Sequence, residues 1–110
     1  SNVEQYKPIK LNTMNTQENN KLIAEFMGYE SYQFRNHTMF IYEEDNHRTD
    51  IDLHYHTSWD WLMPVAEKCL TTDEKTDGQH YFINDALLTC NIDVVYDTVV
   101  EFIKDYNKNK

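Results

Sequence analysis

Asp50-Ile51-Asp52-Leu53-His54-Tyr55-His56 runs directly into Thr57-Ser58-Trp59-Asp60-Trp61-Leu62-Met63-Pro64-Val65-Ala66-Glu67-Lys68-Cys69-Leu70, and the hydrophobic period changes between the two. In the first run Ile51, Leu53 and Tyr55 alternate with Asp50, Asp52, His54 and His56, the period-2 signature of a strand with one covered and one wet face. In the second, Trp59, Leu62, Met63, Ala66, Cys69 and Leu70 recur at helical spacing, with Thr57 or Ser58 as N-cap. That stripe predicts a buried helix face, with Trp61 and Val65 off it. Pro64 removes an amide donor early in the helix and predicts a kinked or irregular first turn. A strand feeding a helix in this way points to a mixed α+β fold.

Upstream, the polar run Glu43 to Thr49 reads as a loop. Tyr32 to Phe34 and Thr38 to Tyr42 are rich in aromatic and β-branched residues and read as strands, the second pairing antiparallel with Asp50 to His56. Gly28 provides a left-handed cap for a helix from Gln17 to Met27, with Thr16 as N-cap and Leu22, Ile23, Phe26 and Met27 on its apolar side. Residues 1–15 are expected to form a flexible arm, with one short extended piece at Ile9 to Leu11, and Ser1-Asn2 resembles the remnant of a cleaved tag.

Downstream, Thr71 to Gln79, with Asp77-Gly78, predicts a turn, and His80-Tyr81-Phe82-Ile83 a short strand. Asp85 to Thr89 reads as a helical turn or a connector. Asn91 caps a last helix whose inner stripe is Ile92, Val95, Tyr96, Val99, Ile103 and Tyr106, while Asp93, Asp97, Glu101 and Lys104 point outward. The expected whole is a single α+β domain over residues 16–107, a small and mostly antiparallel sheet of about three strands against about three helices, with 108–110 as a frayed tail.

Composition narrows function. Ten Lys plus Arg against 19 Asp plus Glu give a net charge of −9, which disfavours direct nucleic-acid binding because that affinity comes from cations displacing phosphate counterions. Two glycines exclude phosphate-cradling loops. Cys69 and Cys90 are too few for a disulfide scaffold and read as reduced thiols, and no segment reaches the roughly 18–20 apolar residues of a membrane span. These features predict a soluble, cytoplasmic protein with no cofactor. Neither a nucleophile motif nor an apolar carboxylate pair is legible, so no catalytic residue is assigned.

Two chemistries remain. His54 and His56, with Asp52, project from one side of the expected strand, and two imidazoles with a carboxylate can hold a divalent metal. The other is a protein interface, since Trp and Tyr are common anchors and an acidic surface complements a basic partner. Trp61, Tyr42, Tyr81, Asp93, Asp97 and Glu101 are its candidates. Aromatic stacking on bases, through Phe40, Tyr42, Tyr55, Tyr81 or Phe82, lacks the interleaved cations that such platforms use.

The blocks Asn20 to Gly28, Ser58 to Val65 (Ser-Trp-Asp-Trp-Leu-Met-Pro-Val) and Val99 to Lys104 (Val-Val-Glu-Phe-Ile-Lys) resemble a group of short phage and prophage proteins. The resemblance spans about Met14 to Asn107. It implies a small α/β-sandwich-like phage domain in a bacterial host cell and carries over no catalytic residue. Asp105 departs from the group, which tends to have an aromatic residue there, and makes the outer side of the last helix more acidic. Together with the composition, the resemblance implies a non-enzymatic accessory protein that binds a host protein. Its sharpest form is an anti-CRISPR-like inhibitor engaging the basic groove of an RNA-guided nuclease. A metal-binding domain on His54 and His56, or a structural or oligomeric phage component, is the alternative.

Overall fold

A computed structural model describes residues 8–72 and 79–108. Among them lie four helices, α1 Pro8–Phe26, α2 Trp59–Thr71, α3 Gln79–Leu88 and α4 Ile92–Lys108, and three strands, β1 Glu30–Phe34, β2 His37–Glu43 and β3 Asn46–Thr49. The strands form one antiparallel sheet in the order β1-β2-β3, and the small α+β class is as expected. The chain divides into two compact units, one ending at Leu53 and the other beginning at His54. The first contains the sheet, and the second is helical.

In the first unit α1 already includes Pro8 to Asn15, whereas the sequence suggested an arm to Asn15 and an extended piece at Ile9 to Leu11; residues 1–7 of that arm lie outside the described residues. The helix ends as Gly28 requires. Gly28 has φ 90, its N–H donates to the Glu25 carbonyl at 3.0 Å, and the Tyr29 N–H donates to the Ala24 carbonyl at 3.2 Å. These are the two bonds of a Schellman cap, which uses a left-handed residue to satisfy the last carbonyls.

Beyond the cap, β1 and β2 are joined by the two-residue loop Arg35-Asn36, with Phe34 opposite His37. Arg35 takes the left-handed conformation, at φ 59, that such tight hairpin loops demand. The polar run from Glu43 is a second hairpin, with β3 pairing Met39 to Thr49, Phe40 to Arg48 and Ile41 to His47, and a bulge between Ile41 and Glu43. Polarity misled the sequence reading here, because β3 is a short edge strand and such strands tolerate charge.

The expected strand Asp50 to His56 does not form. Asp50 is buried, and its carboxylate accepts the Thr38 N–H at 3.2 Å and bonds His37 Nδ1 at 3.0 Å. The Asp52 N–H closes a turn onto the Thr49 carbonyl at 2.9 Å. Ile51 is 63% exposed while Leu53 and Tyr55 are buried, so the alternation reflects turn geometry rather than a pleat. Asn20 Nδ2 on α1 donates to the Leu53 carbonyl at 3.1 Å and fixes the end of this turn.

In the second unit α4 packs against both α2 and α3. Its buried residues Val95, Tyr96, Val99, Val100, Phe102 and Ile103 match the predicted stripe closely, and the helix continues to Lys108. Helix α2 buries Leu62, Val65, Ala66 and Cys69. The predicted stripe is therefore rotated: Trp59 and Met63 are 38% and 42% exposed, and Val65 takes the inner position. Helix α2 is already formed at Trp59 and contains Pro64, whose side is exposed, so the segment before the proline is not irregular.

His80 to Ile83 is not a strand but the first half of α3, which also absorbs Asp85 to Leu88. Ile83 and Ala86 are its buried residues, at helical spacing that a four-residue aromatic run had concealed. The Asp77-Gly78 turn lies outside the described residues.

Candidate functional site

Helices α3 and α4 are joined by a tight turn in which Thr89, Cys90 and Asn91 each have a defined bond. Cys90 lies at φ 55, and its N–H donates to the Leu87 carbonyl at 3.1 Å. The Thr89 hydroxyl accepts the Asn91 N–H at 3.1 Å, and Asn91 Oδ1 accepts the Asp93 N–H at 2.9 Å, the predicted N-cap of α4. This turn brings two helical stripes side by side: Phe82, Asp85 and Ala86 with Thr89 on one wall, and Val94, Asp97, Thr98, Glu101 and Asp105 on the other.

Between them lies an open groove of about 440 Å³. Phe82, Ala86 and Val94 supply apolar surface, and Phe82 is 52% exposed although it is a large ring. Asp85, Asp97, Glu101 and Asp105 supply four carboxylates, and no lysine or arginine is among the lining residues. Thr98 turns its hydroxyl back to donate to the Val94 carbonyl at 2.8 Å. At the margin, Lys104 Nζ lies 3.8 Å from Glu101, an exposed pair of small energetic weight.

The charge is concentrated enough to affect protonation. Partial burial, reinforced by Asp93 and Glu101, holds the Asp97 carboxyl above the usual range. A cation placed in the groove would relieve that repulsion. The arrangement is therefore suited to a ligand that is both cationic and apolar. Elsewhere in the second unit, desolvation pushes the thiol of buried Cys69 up to about 12.

Of the predicted interface residues, Asp97 and Glu101 line the groove, and Asp93 precedes them in the first turn of α4. Tyr81 is 65% exposed on α3, with its ring edge-on to Phe82 at 5.9 Å. Trp61 is half-buried, with the rings of His54 and Tyr55 each 5.2 Å from its own. Tyr42, in the first unit, stacks on Tyr29 at 4.0 Å. Sequence reasoning missed Phe82 and Asp85 as groove residues because it placed them on a strand and a connector. Read at helical spacing, the positions Phe82, Asp85 and Ala86 would have revealed the stripe.

The metal candidates each have other contacts. Asp52 is bonded to Arg48 at 3.2 Å, His54 packs on Trp61, and the His56 ring lies 6.1 Å from that of Tyr96. Desolvation and the neighbouring His54, partly offset by Asp93, lower the pKa of His56. Among the described residues no three His, Cys, Asp or Glu side chains gather as a metal site.

No described helix is long and apolar enough to cross a membrane. No protein-family model matches the chain, and neither a curated protein nor a solved structure does.

Proposed function

We propose that this chain is a non-enzymatic binding protein whose α3–α4 groove docks a basic segment of a protein partner. The single observation behind this reading is the groove itself, four carboxylates around an apolar floor with no cation among its lining residues. Apolar contact supplies residence time and the carboxylates supply steering and selection against acidic partners. The phage-like blocks at Asn20 to Gly28, Ser58 to Val65 and Val99 to Lys104 support a narrower form: an accessory protein that engages the basic nucleic-acid groove of a host defence nuclease, as an anti-CRISPR inhibitor does.

Capture of a purified RNA-guided nuclease by the immobilised protein tests this reading. The wild type should retain the nuclease at low salt and less of it at physiological salt, because screening shortens the reach of the groove charges. Asp97→Lys with Glu101→Lys should abolish retention. Equal retention by the double variant would overturn the role of the groove, and no retention by the wild type would overturn the nuclease as target.

A further inference from the structure

The two-residue loop fixes which backbone groups of β1 face outward. Phe34 and His37 flank Arg35-Asn36, so they must form a pair that exchanges both backbone bonds, and the pattern then alternates. Phe34, Tyr32 and Glu30 bond inward to β2, while the N–H and C=O groups of Gln33 and Ser31 face the open edge. Strand β1 is terminal in its sheet, no other described strand pairs with it, and all five of its residues are exposed. Natural edge strands are commonly blunted by lysine, proline or a bulge, and β1 has none of these.

We infer that the β1 edge is a self-pairing surface, on which a second copy of this chain adds its own β1 antiparallel about Tyr32. Outward-facing groups can bond only to each other, so Ser31 of each copy pairs with Gln33 of the other. Tyr32 then lies opposite itself and Glu30 opposite Phe34, as close, non-hydrogen-bonded pairs. The Arg35 guanidinium lies over the Phe34 ring, 5.1 Å from its centroid. Glu30 of the second copy therefore approaches Arg35, and symmetry repeats this ion pair at the other end of the seam. Tyr32 does not obstruct the approach, because its hydroxyl is held across the sheet by His47 Nδ1 at 2.8 Å. The charge pattern is self-complementary even though the chain as a whole is acidic.

Sedimentation equilibrium over a concentration series tests the inference. The wild type should dimerise. Glu30→Arg alone and Arg35→Glu alone should each weaken the dimer about tenfold or more, since each places like charges at both ends. An equimolar mixture of the two variants should restore it, because every end then joins Arg to Glu. Ser31→Pro, which removes an outward donor and no inward one, should be monomeric with an unchanged far-UV spectrum. A monomeric wild type, a mixture that does not recover, or a dimeric Ser31→Pro would overturn the inference.

Discussion

The buried Asp50 carboxylate and His37 Nδ1 lie 3.0 Å apart, and this bond replaces a strand that the sequence pattern had suggested. Burial alone would raise the Asp50 pKa, but the Thr38 N–H and the His37 and Gln17 side chains together hold it below the usual carboxylate value. A depressed folded pKa contributes stability that is present above the ordinary Asp value and lost as pH falls through the folded one. Acid titration of the protein should therefore show a loss of stability below the ordinary Asp value of 3.8, checked by urea melts followed by far-UV circular dichroism. Asp50→Asn should flatten that dependence and cost about 1–3 kcal/mol at neutral pH, since the Thr38 donor loses a charged acceptor. An unaltered acid limb in Asp50→Asn would contradict the assignment.

Two left-handed positions make opposite predictions. A Cβ at Gly28 would meet nothing within 4 Å, so Gly28→Ala carries only the conformational cost of φ 90, and should destabilise by about 1 kcal/mol. Cys90 occupies the equivalent role after α3 without being glycine, and Cys90→Gly should stabilise by up to about 1 kcal/mol. Thermal unfolding of both variants checks the signs, and equal signs would contradict the cap assignments.

The rotation of α2 is testable by substitution. Leu62→Ala should cost about 2–5 kcal/mol, as removal of a fully buried side chain does. Met63→Gln, at an exposed position, should change stability by less than about 1 kcal/mol. If Met63→Gln were the more damaging, the helix would face inward as its sequence stripe suggests.

The legible parts of the sequence were those with long, uniform periods. Helix α4 and the Gly28 cap could be read directly, because a 17-residue amphipathic pattern and a left-handed glycine have few alternative solutions. The run from Asp50 to His56 could not, since alternation also arises where a buried carboxylate organises a turn. The same limit applied to His80-Tyr81-Phe82-Ile83, whose β-prone residues are overridden by the packing of Ile83 and Ala86. Asp97 and Glu101 were visible as the outer side of α4, but the other wall of the groove depended on α3 being a helix.

Asp97 couples stability to binding. Its raised pKa means that ionisation disfavours the fold between the ordinary value and the folded one, with stability falling as pH rises through that window. Asp97→Asn should thus leave the fold equal or slightly more stable at pH 7, by no more than about 0.5 kcal/mol after solvent screening. The same change should weaken capture of a basic partner. Chemical denaturation and binding measured on one preparation would separate the two effects, and parallel losses of both would contradict the account.

The most direct test of the groove is the fluorescence anisotropy of a labelled amphipathic peptide carrying arginine on one helical face and leucine on the other, titrated with this protein. Saturable binding that weakens with salt, falls about tenfold or more in Asp97→Asn/Glu101→Gln and is lost in Phe82→Asp is the predicted result. Binding of equal strength to wild type and both variants, or no binding at low salt, would contradict it.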